Sequence, residues 1–352
     1  MRVSAFAVVS LVVALVGGSG SGPVRATAAA VPFGGGYGPV WSPDGTRLAF
    51  IGPVPDVLGD PAARGFMHVL VTDGSSAPKV VATAPPQQTL GEVRWAAGGR
   101  FVYEDSNYTL WSTGHPARRL GALGVTGVVG ESFSLSRDGR QVAFTAPCNC
   151  GVPQGDEVRL VPASGGASRA LPRPKGALDS DPSFSPDGSK VAFARVLTSK
   201  SGRTPYGNEF IEVEAVHGGA ARSLGVNGSA PVFSPDGRWV AFVGRAGIEV
   251  VAAGGGHART LLPLRCCSIR AAYAWSPDAK SLAYVSDTGA GTVTLAGSRT
   301  VFSIPGLHPD LHTPQWSPDG KTIAFGAIRN GDDLGYGVYL IGADGAGLRR
   351  VA

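Results

Sequence analysis

The chain has 352 residues, of which 52 are Gly, 27 are Pro and 16% are charged. So many turn-forming residues favour short strands and tight turns over long helices. The formal charge of +5 falls to about +3 without the N-terminal leader, and no Lys or Arg block with interleaved aromatic residues occurs, so we expect no nucleic-acid partner.

Residues 1–30 have the pattern of a secretory signal peptide. Arg2 precedes an apolar run at 5–16, and Ala26-Thr27-Ala28 offers an Ala-x-Ala cleavage site before Ala29. The run is too short to span a bilayer comfortably. We therefore expect a secreted, periplasmic or cell-envelope protein with no transmembrane segment after cleavage. An uncleaved N-terminal anchor is the alternative.

One ten-residue unit recurs through the rest of the chain. At 316–325 it reads Trp-Ser-Pro-Asp-Gly-Lys-Thr-Ile-Ala-Phe. Close copies occupy 41–50, 184–193, 233–242 and 275–284, and two eroded copies occupy 95–104 and 135–144. The seven copies are spaced by 40 to 54 residues. A repeat of this period indicates stacked or radially arranged supersecondary units.

The unit is a hairpin signal. Pro presets the first turning position, the Asp side chain bonds nearby backbone amides, and Gly takes the left-handed conformation that closes the hairpin. The structural turn aspartates are Asp44, Asp138, Asp187, Asp236, Asp278 and Asp319. In the sixth copy Ala279 replaces Gly, so we expect a left-handed Ala that costs on the order of 1 kcal/mol.

Each copy is followed by a second apolar strand, a small-residue turn and a short strand, as at 337–341, 343–345 and 348–351. Four strands repeated seven times predict an all-β fold, a seven-bladed β-propeller of four-stranded antiparallel blades over residues 31–352. The blades are expected to start near residues 36, 90, 131, 180, 229, 270 and 312. An open stack is the competing geometry. The ring closes either between complete terminal blades or with 27–31 as an outer strand of the last blade.

The Trp/Phe-Ser-Pro-Asp-Gly-x-x-Ile/Val/Leu-Ala-Phe unit resembles the WD40-like (PD40) repeats named for their Pro-Asp pair. Such repeats form the propellers of TolB-like periplasmic proteins and of prolyl-oligopeptidase-type peptidases. The similarity covers residues 36–352 and implies a TolB-like binding propeller. A TolB-like protein would also have a separate domain ahead of a six-bladed propeller, and neither feature is matched here.

The favoured function is non-enzymatic binding of a protein or cell-envelope ligand, without a cofactor, through a loop face or the central channel. No Gly-x-Ser-x-Gly elbow occurs, which argues against a peptidase. The seven blades leave no room for a second domain. Glu92, Glu131 and Asp181 lie near the starts of first strands, where a propeller has the mouth of its channel, and are candidates to bind a cation or a basic peptide. A polar rim around a wet channel is the alternative.

The competing function is a metal-assisted polysaccharide lyase or hydrolase with its site at the channel mouth. His308 and His312 are the closest histidines in sequence and are the candidate ligands, although exposed loop histidines explain them as well. The cluster of Asn330, Asp332 and Asp333 fits no twelve-residue calcium loop. A scaffold subunit of a larger envelope assembly is a third possibility.

Four cysteines in an exported chain predict disulfides. Cys148 and Cys150 lie in a long loop of the third repeat, and Cys266 and Cys267 lie between the fifth and sixth repeats. Bridges between the two loops are conceivable, but we favour local pairing within each, which makes small, strained rings.

Overall fold

Seven antiparallel sheets follow one another along the chain in the computed structural model, and together they form a seven-bladed β-propeller. The predicted fold class is confirmed. The structure describes residues 37–52, 68–73, 78–83, 90–114, 117–123, 133–147, 156–197, 209–264, 271–286, 289–310, 312–329 and 336–351. Within these ranges no helix is long and apolar enough to cross a membrane.

The strands of each blade pair in sequence order. Blade 1 has β1 (Tyr37–Trp41), β2 (Leu48–Gly52), β3 (His68–Thr72) and β4 (Lys79–Thr83). Blade 2 has β5 (Leu90–Trp95), β6 (Phe101–Asp105), β7 (Thr109–Ser112) and β8 (Arg118–Ala122). Blade 3 has β9 (Phe133–Leu135), β10 (Gln141–Pro147), β11 (Asp156–Pro162) and β12 (Arg169–Ala170). Blade 4 has β13 (Ala177–Phe184), β14 (Lys190–Leu197), β15 (Phe210–Ala215) and β16 (Arg222–Asn227).

The last three blades follow the same plan. Blade 5 has β17 (Ser229–Phe233), β18 (Trp239–Gly244), β19 (Gly247–Ala252) and β20 (Arg259–Pro263). Blade 6 has β21 (Ala271–Trp275), β22 (Ser281–Ser286), β23 (Gly289–Thr294) and β24 (Arg299–Val301). Blade 7 has β25 (Leu307–Pro309), β26 (Gln315–Trp316), β27 (Thr322–Arg329), β28 (Tyr336–Gly342) and β29 (Arg349–Arg350). The first strand of blade 7 is thus split, because β25 and β26 both pair with β27.

The antiparallel order gives the ring two different faces. First and third strands start at one face, which we call the mouth face; it carries the connections between blades and those between second and third strands. The opposite face, which we call the turn face, carries the Ser-Pro-Asp-Gly turns and the connections between third and fourth strands. Tyr37 and His68 begin strands at the mouth face, and Ser42 and Asp44 lie at the turn face.

The Ser-Pro-Asp-Gly turn satisfies its own polar groups. In blade 1 the Ser42 hydroxyl donates to Asp44 Oδ1 at 2.5 Å and accepts the N–H of Arg47 at 2.9 Å. Asp44 Oδ1 also accepts the N–H of Thr46 at 3.0 Å. Gly45 is left-handed, with φ +70°, and the structure confirms the same conformation for Ala279, with φ +60°. The serine, the aspartate and the left-handed residue therefore close the hairpin together.

Blades pack through large side chains of their second strands and through a repeated hydrogen bond. Phe50, Phe193 and Phe242 are fully buried. In three blades the tryptophan that precedes the turn donates its indole N–H to the first strand of the preceding blade. These bonds, all 3.1 Å long, run from Trp95 to Val40, from Trp275 to Val232 and from Trp316 to Ala274. The motif therefore fixes both its own hairpin and the contact with the preceding blade.

The ring closes between two blades that are each complete in the described residues. Leu48, Phe50 and Leu70 of blade 1 form one buried cluster with Ala324, Val338 and Leu340 of blade 7. The equivalent tryptophan, Trp41, has a buried indole N–H with no hydrogen-bond partner among the described residues. The repeated inter-blade bond is thus missing where the first strand of blade 7 is split. The alternative closing segment, 27–31, lies outside the described residues.

Two glycines at the same turn position provide a matched test of blade packing. Gly139 and Gly188 have φ +66° and +69°, but a Cβ on Gly139 would lie 2.6 Å from the backbone N of Ala97, whereas one on Gly188 would meet nothing within 4 Å. We expect Gly188→Ala to cost about 1 kcal/mol of unfolding free energy and Gly139→Ala about 3 kcal/mol or more. Chemical denaturation of the two variants measures the difference, and equal costs would contradict the packing.

The tryptophan bonds give a second matched pair. Trp275→Phe removes the hydrogen bond to Val232, whereas Trp41→Phe removes an N–H that has no partner. We expect Trp275→Phe to lower the unfolding free energy by about 1–2 kcal/mol more than Trp41→Phe. Urea denaturation checks this, and a larger loss for Trp41→Phe would show that Trp41 is bonded at the seam.

Candidate ligand site at the mouth face

Two of the predicted mouth residues occupy equivalent places in their blades. The pairing of β5 with β6 shifts register between Leu90 and Val93, and that of β13 with β14 shifts between Ser180 and Ser183. Glu92 and Asp181 lie in these bulges. Bulges of this kind re-aim side chains and are common beside functional sites. The third predicted residue, Glu131, lies outside the described residues.

The structure gives the two carboxylates different surroundings. Glu92 forms an ion pair with Arg94, two residues along the same strand. Its negative charge is therefore compensated within blade 2. Asp181 is only 3% exposed and has a left-handed backbone, with φ +54°. A conformation this rare for a non-glycine residue persists only where the surrounding structure enforces it.

Three blades hold Asp181 in place. Its backbone N–H donates to Thr145 Oγ1 of blade 3 at 3.2 Å. Its carboxylate Oδ2 accepts the N–H of Ala230 of blade 5 at 3.2 Å and the hydroxyl of Ser180 at 3.4 Å. The other oxygen, Oδ1, is buried and has no hydrogen-bond partner. One acceptor of this carboxylate therefore has no hydrogen-bond donor among the described residues.

The electrostatics of the site favour a positive charge. Burial raises the pKa of Asp181 to about 7; the Ala230 and Ser180 bonds oppose that rise, and the nearby carboxylates of Glu209 and Asp156 add to it. Burial also raises the pKa of Asp156 to about 6 and raises that of Glu209. Asp156 and Glu209 stand at or just before the starts of β11 and β15, at the mouth face. Because Asp156 and Glu209 both act on Asp181, we call the three carboxyls the Asp181 cluster.

Other buried carboxylates near the mouth have partners. Asp105 accepts the N–H groups of Asn107 and Thr109 and the indole N–H of Trp111. Asp179 binds Arg195 through two bonds of 2.6 and 2.8 Å. Asp181 therefore differs from the satisfied acids of the same face.

Two further acids have unbonded oxygens, but each faces a basic group. Both carboxylate oxygens of the buried Glu214 lack hydrogen-bond partners. Burial raises the pKa of Glu214 to about 7, and the charge of Arg195 opposes that rise. Asp310 Oδ2 lies 3.4 Å from Nδ1 of His312.

The histidine pair lies at the seam between blades 7 and 1. His308 is in β25, and His312 lies where the first strand of blade 7 is split. The His312 ring stands 5.0 Å from the ring of Tyr37, whose pKa is raised by burial and by the nearby Tyr336 and Asp310. Across the described ranges, no three or more His, Cys, Asp or Glu side chains are grouped so that they could hold a metal. The structure therefore does not join His308 and His312 into a metal-ligand set.

Several predicted residues cannot be placed. The cysteines Cys148, Cys150, Cys266 and Cys267 and the acidic-loop residues Asn330, Asp332 and Asp333 lie outside the described residues. The predicted disulfides and the calcium-loop alternative stay predictions.

Large exposed apolar side chains are distributed unevenly. In the described part of the chain, four lie where strands end or begin at the mouth face: Tyr108, Leu197, Phe210 and Tyr336. The other three, Val80, Val81 and Val301, are on outermost strands, so the turn face shows none. These residues, and Asp156 and Glu209, were not predicted from the sequence. Their positions beside the long connections between second and third strands were the available signal.

Comparisons with solved structures agree with the propeller fold. A puromycin-hydrolyzing peptidase of Mycobacterium tuberculosis matches with a TM-score of 0.61 at 16% identity, over 92% of this chain and 56% of the peptidase. An oligogalacturonate lyase of Vibrio parahaemolyticus matches with a TM-score of 0.52 at 12% identity, over 73% of this chain and 75% of the lyase. A putative TolB of Agrobacterium tumefaciens matches at 16% identity over 78% of this chain and 84% of that one, with a TM-score of 0.41.

The likenesses to the peptidase and the lyase show the fold alone, since both identities are low. The chain spans little more than half the length of the peptidase. No protein-family profile matches the sequence, and no curated protein does. The propeller fold is shown by the structure, and no family match supports the finer TolB-like resemblance.

Two aspartates of β13 should respond oppositely to amidation. Because the raised pKa of Asp181 lets the folded protein keep a proton that the unfolded chain has lost, its contribution to stability falls as pH rises from about 4 to about 7. We expect Asp181→Asn to match the parent protein near pH 4 and to melt at a higher temperature near pH 8. Asp179→Asn leaves Arg195 without its two-bond partner and should cost about 3 kcal/mol. Thermal unfolding across this pH range tests both, and a melting temperature lowered at pH 8 by Asp181→Asn would contradict the assignment.

Proposed function

We propose that the chain is an exported, non-enzymatic binding propeller that takes a protein or cell-envelope ligand on its mouth face. The observation that carries this proposal is the contrast between the two faces of the ring. Three of the four left-handed non-glycine residues lie at the mouth face, as do four of the seven large exposed apolar side chains in the described residues. Unbonded buried polar atoms occur toward both faces, with Asp181 Oδ1 at the mouth and those of Trp41 and Glu214 toward the turns. In the turns themselves, serine and aspartate bond each other.

The turn face has little left to offer a ligand. Asp44 and Asp187 accept hydrogen bonds from the serine hydroxyl and from backbone N–H groups of their own turns. The bonds from Ser42 and Ser185, with these N–H bonds, lower the pKa of each aspartate to about 2. These carboxylates stay ionised and occupied. Their function is to hold hairpins.

The mouth face has the composition of an interaction surface. Tyr108 and Tyr336 are 49% and 45% exposed, and Phe210 is 37% exposed. Exposed aromatic residues are enriched in protein interfaces, and loops at one end of a rigid scaffold are the usual place for binding. The Asp181 cluster adds negative charge to the same face. An apolar rim around an acidic interior suits a ligand with both apolar and basic groups.

The proposal includes the finer features of the resemblance. The repeats are of the WD40-like type named for their Pro-Asp pair, as in TolB-like propellers. The leader at 1–30 directs export to the periplasm or beyond the cell, the cysteines pair as disulfides, and nucleic acid is not a partner. The support for export is the leader pattern in the sequence.

The Asp310–His312 pair favours a second candidate function. An imidazole held 3.4 Å from a buried carboxylate can transfer protons, as a polysaccharide lyase or hydrolase with a mouth site would require. The likeness to an oligogalacturonate lyase concerns the fold. Elemental analysis of the purified protein separates the candidates: a stoichiometric divalent metal bound through histidine would favour the enzyme.

Face-specific photocrosslinking in the producing cell tests the binding proposal. A benzophenone amino acid is placed at Phe210 or Tyr336 on the mouth face, and at Arg140 or Lys280 on the turn face as matched controls. We expect a discrete covalent adduct from the mouth positions alone. Adducts from the turn positions, or none from either face while the protein stays folded and exported, would contradict the proposal.

A further inference from the structure

We infer that Asp181 anchors a subsite for a positively charged nitrogen group, the ammonium or guanidinium that ends a flexible chain. This inference rests on the proposed function, because it specifies the chemistry of a ligand on the mouth face. The flexible chain belongs either to a basic side chain of a polypeptide or to a free small amine. Both sources present the same cationic group to the carboxylate.

The unbonded oxygen of the Asp181 carboxylate is the first feature that points to a ligand. Asp181 is 3% exposed, and its Oδ1 has no hydrogen-bond partner. A buried acceptor without a partner destabilises the folded protein, and more so when it is charged. A protein retains such a group where something else supplies the partner. An N–H donor from a ligand is the complement of this oxygen.

The second step concerns charge. Glu92, in the equivalent bulge of blade 2, has Arg94, and Asp179 of the same strand has Arg195. Among the described residues, Glu209 and Asp156 are the charged groups with the largest effect on Asp181, and both are acidic. Its hydrogen-bond partners Ser180, Thr145 and the backbone of Ala230 are neutral. A cation is therefore the group that the described surroundings of Asp181 lack.

The third step concerns geometry. The bonds to Thr145 and Ala230 tie Asp181 to the blades on either side, so Oδ1 is positioned before a ligand arrives. Preorganised acceptors gain affinity because little freedom is lost on binding. An ammonium group has three donors and a guanidinium five, so either can donate to Oδ1 and keep donors for further acceptors.

Binding should also be linked to protons. A cation beside Asp181 lowers the pKa of the carboxyl, so binding below about pH 7 releases a proton. Asp156, with its pKa raised to about 6, and Glu209 contribute in the same direction. Affinity for a permanently charged amine should therefore fall as the pH is lowered from about 8 to about 5.5.

Calorimetry with two probes tests the inference. The probes are agmatine, a small free amine, and acetyl-Gly-Arg-Gly-amide, which presents the same guanidinium on a peptide. Each is titrated into the parent protein, Asp181→Asn and Glu249→Gln near pH 8. Glu249 is the matched control, because its carboxylate accepts the N–H of Ala246. We expect Asp181→Asn to weaken binding at least about tenfold and Glu249→Gln to leave it unchanged.

The outcomes separate the alternatives. Binding of agmatine that depends on Asp181 indicates a free amine, and binding of the peptide alone indicates a polypeptide. Either supports the cationic subsite. Failure of both probes to bind at millimolar concentration, or equal binding by Asp181→Asn, overturns it. If Asp181→Asn does not fold, the parent protein decides: affinity that is the same near pH 5.5 and pH 8 overturns the subsite.

Failure of this subsite is distinguishable from failure of the proposed function. Mouth-face crosslinks with no binding of either probe would remove the cationic group and keep the binding propeller. Asp181-dependent binding without mouth-face crosslinks would keep the subsite and remove the macromolecular ligand.

Discussion

The hydrogen bond from the serine hydroxyl to the aspartate carboxylate, repeated in six of the seven turns, is the interaction on which the rest of the ring depends. It sets the angle at which the first two strands of a blade leave the turn. The tryptophan or phenylalanine before the serine then points toward the preceding blade, where Trp275 reaches the carbonyl of Val232. In blade 2, where Ala96 and Ala97 stand in place of serine and proline, a short 3-10 turn at Ala97–Gly99 takes over. Repetition of this one turn motif therefore produces the closed ring.

Because of this serine–aspartate hydrogen bond, the two faces of the ring have different roles. The carboxylate oxygens of turn residues such as Asp44 and Asp187 accept hydrogen bonds within their own hairpins. These residues therefore stabilise the fold and have few free acceptors for a ligand. The strands are held together at the turn face, so the long connections and the bulges lie at their opposite ends, at the mouth face. Asp181 is buried and incompletely bonded at that other end, and its left-handed backbone recurs at Gly38 and Ala230, which hold the same place in their blades.

The fold was predictable from the sequence because each hairpin is specified by residues that are close together in the repeated motif. The left-handed Ala279 follows from its place in the motif, and the blade plan follows from strands and turns at a fixed period. The position of Asp181 near the mouth was also predictable, from its distance to the turn. The difference between Asp181 and Glu92 was not, because the N–H of Ala230 and the acids Asp156 and Glu209 come from elsewhere in the chain. Nor did sequence signal the left-handed backbone of Asp181, since a following proline permits but does not require it.

Direct titration of the side-chain carboxyls by carbon-detected NMR tests the division between the two faces most directly. The account predicts two populations in one spectrum. Turn aspartates such as Asp44 and Asp187 should titrate near pH 2, and Asp156 and Asp181 near pH 6 and 7. If Asp181 titrates near 4 with the bulk of the carboxyls, it is neither buried nor unpaired as described, and the mouth face loses its distinguishing chemistry.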